Sequence, residues 1–120
     1  VSVTVVKAQS EYGYCNYDSY YPGYKCEGKS IYTNQYDNFA YYTTIASGQL
    51  PYSVQIWIYG SPYQGSGYAS ILGPNGSVSF NTYNTNWVFE QGTLNVGTNP
   101  TWIEGEFGVY GGELTMTVGW

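Results

Sequence analysis

The sequence predicts an all-β protein: a single antiparallel β-sandwich, Ig-like or jelly-roll-like, with about 7–9 short strands and one disulfide. Three observations support this fold class. Apolar residues recur with period two, the spacing of half-buried strands, and no long stretch carries a helical stripe. Gly, Pro and Asn turn signals separate the candidate strands at intervals of about 8–12 residues. At 120 residues the chain has the size of one domain, to which we assign residues 1–120.

The first candidate strand is the N-terminal segment 1–8. Val1, Val3 and Val5 alternate with Ser and Thr, so an apolar face runs along the segment. Segment 12–29 is rich in Tyr, Gly and Pro, and we expect it to be a loop bounded by the disulfide. Further candidate strands, each short and rich in β-branched or aromatic residues, are 39–45, 54–58, 68–72, 77–80, 87–90 and 93–96.

Turn chemistry sets the expected connections between these strands. Gly73-Pro-Asn-Gly76 is typical of a hairpin, because Pro presets the first corner and Asn or Gly accepts positive φ. Asn99-Pro100 is expected to interrupt the strand structure before the final hairpin. A two-residue turn at Gly111-Gly112 predicts a final hairpin that places Phe107 opposite Leu114. The inward positions of the strands predict a core of Val3, Val5, Val54, Ile56, Ile58, Ile71, Val78, Phe80, Phe107, Leu114, Met116 and Val118.

Cys15 and Cys26 are the only cysteines, and we expect them to form a disulfide. Such a bond implies an oxidising compartment, so we expect the protein to be extracellular or at the cell surface. The alternative is a pair of free thiols in a cytosolic protein. A metal site would need further Cys or His ligands, and the sequence has none.

Charged side chains are scarce. The chain has three basic and eight acidic residues, for a net charge of −5. A nucleic-acid ligand needs Lys or Arg to replace condensed counterions, and an anionic membrane needs a basic face. A membrane span needs about 18 consecutive apolar residues, and no run approaches that length. We therefore expect no nucleic-acid partner and no membrane insertion.

The residue types of most catalytic sites are missing. The chain contains no histidine, and its basic residues are all lysines, so it lacks the usual proton shuttle and the guanidinium fork. Glu104 and Glu106 are a remaining carboxylate pair on the polar face of the expected final hairpin. They point in parallel and do not flank a scissile bond from two sides. We expect no enzyme activity and no cofactor. The calcium-like fragments at 16–18 and 37–38 are incomplete, so we expect no metal.

Sixteen tyrosines dominate the candidate contact surface. A tyrosine ring with its hydroxyl suits sugar faces and protein interfaces; the alternative for any single ring is partial burial over the core. Trp57 and Trp102 fall on the polar side of their strands, which favours a contact role. The predicted glycan or partner contacts are Tyr12, Tyr14, Tyr17, Tyr20, Tyr21, Tyr24, Trp57, Tyr59, Tyr63 and Trp102.

Asn75-Gly-Ser77 is the only N-glycosylation sequon, because Pro100 spoils the one at Asn99. It falls at the tip of an expected hairpin, where an attached glycan would be accessible, and we predict that Asn75 is glycosylated. The alternative is that Asn-Gly serves the geometry of the turn alone.

The N-terminal strand leads to the functional prediction. Chain termini are usually disordered unless paired. The Val1, Val3 and Val5 face therefore either pairs within its own domain or fills a groove in a neighbouring copy, as in donor-strand complementation. Repeated head to tail, the second arrangement builds a filament. We predict a secreted, non-enzymatic structural subunit of an extracellular fibre or surface matrix, glycosylated and partnered by copies of itself. The alternative is a carbohydrate-binding module or lectin that binds glycans on a Tyr/Trp stacking platform.

Overall fold

The computed structural model describes residues 12–33, 39–59, 64–83 and 85–119. These residues form seven antiparallel strands in one hydrogen-bonded sheet, which confirms the all-β fold. The described ranges contain no helix, and therefore none long and apolar enough to cross a membrane. The strands are β1 (Tyr12–Asp18), β2 (Gly23–Ser30), β3 (Ala40–Ile58), β4 (Ser66–Gly73), β5 (Gly76–Asn81), β6 (Trp87–Tyr110) and β7 (Gly112–Gly119).

The strands follow the order β1-β2-β7-β3-β6-β4-β5 across the sheet. Two of them, β3 with 19 residues and β6 with 24, are far longer than the short strands expected from the sequence. The ladder between β3 and β6 is interrupted by register shifts between Ala46 and Gln49. There Gly48 pairs with Gly97, and both have positive φ, 83° and 106°. Glycine adopts such φ values freely, and a bulge of this kind bends the strands.

The bend divides the sheet into two halves. The first half-sheet contains β1, β2 and β7 with the C-terminal part of β3 and the N-terminal part of β6. The second half-sheet contains the other parts of β3 and β6 together with β4 and β5. Rings from strands that are not neighbours meet between them: Tyr24 stacks on Tyr42 with centroids 4.6 Å apart, and Tyr52 lies 5.7 Å from Phe80. These ring contacts between the two half-sheets are consistent with the expected sandwich.

The core lies between the two half-sheets, where the sequence pattern placed it. Among the predicted core residues, Val78 is partly buried, and Val3 and Val5 lie outside the described residues. Leu50 and Val109, which the pattern missed, are also fully buried. The predicted core residues that are buried are Val54, Ile56, Ile58, Ile71, Phe80, Phe107, Leu114, Met116 and Val118.

Segment 12–29, expected to be a loop, is a β-hairpin. β1 and β2 pair along their lengths and place Cys15 directly opposite Cys26. The disulfide between these two residues is formed, as the sequence predicted. Aromatic residues favour strands, so the Tyr-rich composition is compatible with pairing. Pro22 lies in the turn at 19–22 and Gly23 begins β2, whereas Gly13 and Gly28 are paired with each other inside the two strands.

The expected final hairpin does not form: within the described residues, β6 and β7 are not paired with each other. Instead β7 lies between β2 and β3, so that Leu114 is opposite both Gly28 and Ile56. Gly111, with a φ of 66°, carries the chain from the second half-sheet to the first. Its carbonyl oxygen accepts a hydrogen bond from the backbone N–H of Tyr59, 2.8 Å away. The prediction of a hairpin turn at Gly111-Gly112 is therefore wrong: the chain bends at Gly111 and crosses between the half-sheets.

Asn99-Pro100 does not interrupt the strand, since β6 runs through both residues. They fall between Gly97, which pairs with Gly48, and Thr101, which pairs with Ala46, in the irregular part of the ladder. Proline has no N–H to donate, and a bulge is one place where a strand tolerates it. The predicted hairpin at 73–76 is present as the turn between β4 and β5.

The hydroxyl of Tyr42 is buried and has no hydrogen-bond partner among the described residues. A buried polar group without a partner costs about 1–3 kcal/mol. Tyr42→Phe removes this hydroxyl and keeps the ring that stacks on Tyr24. We therefore expect the free energy of unfolding in urea to rise by about 1 kcal/mol. Tyr14→Phe, which deletes a hydroxyl that donates to Glu27, should give no such gain. A less stable Tyr42→Phe variant would contradict the reasoning.

Candidate functional site

The outer face of the first half-sheet carries two rows of side chains that cross its strands. Residues directly opposite each other on antiparallel neighbours point to the same face, so the register defines each row. From β1 to β6, the first row is Tyr12, Lys29, Glu113, Trp57 and Trp87, and the second is Tyr14, Glu27, Thr115, Gln55 and Phe89. We call these two rows the aromatic face.

Three large rings lie together where β3 meets β6. Trp57 and Trp87 are directly opposite each other and are 47% and 56% exposed. Phe89, the next outward residue of β6, is 52% exposed, and its centroid lies 6.3 Å from that of Trp87. Full burial of a large apolar side chain is worth about 1.5–3 kcal/mol. A cluster of such rings left half in water indicates a contact surface.

Polar groups border the ring of Trp57. Gln55, Glu113 and Thr115 line a small cavity of about 80 Å³ beside it. The Tyr59 hydroxyl donates to the Glu113 carboxylate at 3.0 Å, and its ring meets Trp57 edge-on, with centroids 5.3 Å apart. Burial and this hydrogen bond raise the pKa of Tyr59 to about 12. Tyr59 is therefore a neutral donor at physiological pH that holds Glu113 and Trp57 in place.

A second pair of rings lies at the β1 side of the aromatic face. The centroids of Tyr12 and Tyr14 are 5.9 Å apart, and both rings are half-exposed. The Tyr14 hydroxyl donates to one oxygen of Glu27 at 2.8 Å, and the Lys25 ammonium contacts the other at 2.8 Å. Lys25 foremost, and Tyr14 after it, lower the pKa of the Glu27 carboxyl. The hydrogen bond from its hydroxyl to Glu27 fixes the direction of the Tyr14 ring.

The other predicted contact tyrosines do not join the aromatic face. Tyr20 and Tyr21 lie at the β1–β2 turn, where Tyr20 is 99% exposed. Tyr17 and Tyr24 are opposite each other on the other face of the hairpin, and Tyr24 packs partly buried against the core. Tyr63 lies outside the described residues, and its contact role stays a prediction.

Trp102 lies on the outer face of the second half-sheet, on the opposite side of the molecule from Trp57. It is directly opposite Ile45, and both are exposed. Glu104 and Glu106 share this face, opposite Thr43 and Tyr41 of β3. The sequence placed the two carboxylates beside β7, which is wrong because β6 and β7 do not pair. The sheet therefore separates the two predicted contact tryptophans.

Asn75 sits at the β4–β5 turn, as expected, and its Nδ2 donates to the Val96 carbonyl oxygen at 2.9 Å. This hydrogen bond gives Asn75 a structural role; its glycosylation stays a prediction. The donor-strand residues Val1, Val3 and Val5 lie outside the described residues, so their role also stays a prediction. Within the described ranges, no group of three or more His, Cys, Asp or Glu is placed to hold a metal ion.

Sequence reasoning missed Trp87 and Phe89. They alternate with Val88 and Glu90 in a predicted strand. The period-two pattern therefore predicts that the two rings point to the same face of the sheet. Their position beside Trp57 could not be predicted from the sequence, because it depends on the pairing of β3 with β6, which is distant in the sequence.

The raised pKa of Tyr59 predicts a loss of stability at high pH. Near neutral pH the tyrosine is protonated in both states, and from about pH 9 upwards the unfolded chain begins to ionise. Between pH 10 and about 12 the unfolded chain ionises while the folded protein keeps its proton, so stability falls as pH rises. We expect urea unfolding to show a shallower decline for Tyr59→Phe than for the wild type from about pH 9 to pH 11. Tyr83→Phe, at an exposed turn position, is the control and should keep the wild-type slope. Equal slopes for all three proteins would contradict the prediction.

No family model matches the chain, and no curated protein matches its sequence. The aromatic face combines exposed rings, polar groups between them and a register that aligns both.

Proposed function

We propose that this protein is a secreted, non-enzymatic carbohydrate-binding protein and that the aromatic face is its binding site. The observation that carries the proposal is the direct pairing of Trp57 and Trp87 on an outer sheet face. Both rings are half-exposed, and Gln55, Glu113 and Thr115 lie beside them. The combination offers apolar ring faces and hydrogen-bonding groups within reach of one ligand.

This combination matches the chemistry of a sugar ring. A pyranose presents C–H groups on its faces and hydroxyls around its edge. Aromatic faces pack on the C–H groups, while amides, carboxylates and hydroxyls pair with the sugar hydroxyls. Ligand sites in general combine aromatic surface with a few placed polar groups. Tyr59 keeps Trp57 and Glu113 oriented, which reduces the entropy lost on binding.

The composition of the face favours a glycan over a protein partner. Protein interfaces are also rich in aromatic residues, but their centres are apolar and well packed. Between the rings of the aromatic face stand only polar and charged side chains, and no Leu, Ile, Val or Met occurs in either row. A third row below them is polar throughout: Asn16, Lys25, Thr117, Ser53 and Gln91. The outer face of the second half-sheet differs, because Ile45 and Leu72 are exposed there.

The disulfide supports an extracellular setting, since such bonds persist in oxidising compartments. Glycosylation at Asn75 remains part of the proposal. Intact-mass measurement of the natively expressed protein tests it directly, because a glycan adds mass that PNGase treatment removes and that Asn75→Gln abolishes.

Two tryptophans of nearly equal exposure provide the test. Trp57 is 47% exposed on the aromatic face, and Trp102 is 46% exposed on the opposite face. We expect the wild type to bind glycans on an array. Trp57→Ala should weaken binding roughly 10- to 100-fold, the equivalent of losing the burial of one large ring. Trp102→Ala should bind like the wild type. Circular dichroism of both variants checks that the fold is retained.

Two outcomes would refute the proposal. One is an array on which the folded wild-type protein binds no glycan. The other is binding that Trp57→Ala and Trp102→Ala weaken to the same extent, because the aromatic face would then have no special part in it.

A second candidate function is the fibre subunit that assembles by strand exchange. One observation favours it: within the described residues, no strand pairs with the edge of β3 over Ala40–Ala46 that faces away from β6. An edge that no described strand covers can accept an added strand. The donor would be the alternating segment 1–6 of a neighbouring copy. Deleting residues 1–8 should abolish polymers and leave a domain that takes up an added peptide of residues 1–7. A monomer at all concentrations in size-exclusion chromatography would exclude this function.

A further inference from the structure

We propose that the aromatic face binds a single, soluble, neutral polysaccharide chain that lies across the strands, from Trp57 and Trp87 at one end to Tyr12 and Tyr14 at the other. This inference rests on the proposed function and names its ligand class. It follows from the positions of the rings in the two rows, from their fixed orientations, from the twist of the sheet and from the charge of the face.

The rings mark the two ends of the rows. Between β1 and β3 lie β2 and β7, so three strand spacings of about 4.8 Å separate Tyr12 from Trp57, roughly 14 Å in all. Trp87 is one spacing further away. A single sugar ring in contact with Trp57 cannot reach Tyr12 at that distance. A ligand that uses both ends must therefore contain several sugar units.

The middle of the rows carries groups that can bond to the hydroxyls of such a chain. Thr115 and Gln55 lie between the two ends in the second row, and Lys29 and Glu113 lie between them in the first. They provide both donors and acceptors. A chain that crosses the strands would thus meet rings, then hydrogen-bonding groups, then rings again.

The rings at both ends are held in place before any ligand binds. Tyr14 is held by its bond to Glu27, which in turn is held by Lys25. Trp57 is held by the edge-on ring of Tyr59, whose hydroxyl is bonded to Glu113. Side chains that are already ordered lose less entropy on binding. Both ends of the face are thus suited to contribute to affinity.

The twist of the sheet favours a free polysaccharide chain over a crystalline polysaccharide surface. Neighbouring strands rotate by roughly 20–25°, so β1 and β6, four steps apart in the strand order, differ by about 80–100°. Rings at the two ends therefore do not lie in one plane. A flat crystalline surface can contact one end only, whereas a single hydrated chain can turn to follow the face.

The charge of the face favours a neutral chain. The protein carries a net charge of −5, so an anionic polysaccharide would be repelled at long range. Its basic residues are all lysines, which lack the guanidinium fork that binds carboxylates. The two lysines of this half-sheet are matched by acids: Lys25 is paired with Glu27, and Lys29 is directly opposite Glu113. Among the residues that the structure describes, no unbalanced cluster of basic groups is available for carboxylate or sulfate groups.

The test uses the full chain and defined probes. Soluble mixed-linkage β-glucan, xyloglucan, galactomannan and dextran are screened by affinity electrophoresis, with alginate as the anionic probe and crystalline cellulose as the insoluble one. Oligosaccharides of increasing length from the polymer that binds are then titrated calorimetrically. We expect affinity to rise at least tenfold with length until both ends of the face are occupied. The Tyr12→Ala/Tyr14→Ala variant should lose that gain with chain length.

The controls separate this inference from the proposed function. Tyr20→Ala/Tyr21→Ala, at the exposed turn of the same hairpin, should keep the full length dependence. If binding depends on Trp57 but not on chain length or on Tyr12 and Tyr14, the extended-chain inference fails and the carbohydrate site remains. Tighter binding to crystalline cellulose or alginate than to the soluble neutral chains would also overturn the inference. If none of the probes binds, the extended-chain inference fails, and the glycan array then decides the proposed function separately.

Discussion

Replacing Gly112 with alanine is expected to lower the free energy of unfolding by about 3 kcal/mol. Gly112 is buried at the start of β7, directly opposite Ile58 of β3 and Ser30 of β2. A Cβ at this position would overlap the carbonyl oxygen of Trp57 and come within 2.9 Å of the Ile58 side chain. The carbonyl is backbone in the middle of the sheet, so it cannot move aside as a flexible side chain could. The strands must separate, and ladder bonds next to the core would be strained or lost.

Urea unfolding of the Gly112→Ala variant measures the effect as a lower midpoint with an unchanged slope. Gly73→Ala is the matched control. A Cβ on Gly73 would meet Ile103 at an ordinary contact distance of 3.4 Å, and we expect a change of less than about 0.5 kcal/mol. Equal midpoints for the two variants would show that the chain does not cross tightly between the half-sheets at 111–112.

This crossing also shows why the final hairpin could not be predicted. The sequence pattern determines which side of a strand is buried, and it did so correctly for Leu114, Met116 and Val118. It does not determine which strand becomes the neighbour. Gly111-Gly112 suits a hairpin turn and a crossing between half-sheets equally well by local chemistry. The structure selects the crossing, because β7 then fills the place between β2 and β3. That choice depends on contacts distant in the sequence.

The candidate site follows the same logic. Exposure of Trp57 was predictable, because it alternates with Val54, Ile56 and Ile58 in a strand-like segment. The hairpin at 73–76 was predictable from local turn chemistry. The assembly of the aromatic face was not, since it places β1, β3 and β6 on one surface through the strand order. The Gly and Pro residues of segment 12–29 predict a loop, whereas the β propensity of its tyrosines predicts strands, and the structure has strands. As a strand, it contributes Tyr12 and Tyr14 to the face.

Removing the disulfide between Cys15 and Cys26 is expected to let β1, the strand that carries Tyr12 and Tyr14, separate from the sheet more easily. β1 is an edge strand that is exposed along most of its length and pairs only with β2 among the described strands. In the chain-entropy model, closing a loop as short as the one between Cys15 and Cys26 is worth about 3 kcal/mol. The Cys15→Ala/Cys26→Ala variant should lose most of this stabilisation locally, because opening β1 costs less than unfolding the core.

Hydrogen exchange measures this release strand by strand. In the double alanine variant, we expect the amides of β1 to lose their protection while those of the central strands β3 and β6 keep it. β5, the opposite edge of the sheet, is the internal control and should be unchanged. The same variant should bind short neutral oligosaccharides normally but lose the gain with chain length, because Tyr12 and Tyr14 are no longer held opposite Lys29 and Glu27. Full protection of β1 without the disulfide would show that backbone pairing alone fixes this end of the aromatic face.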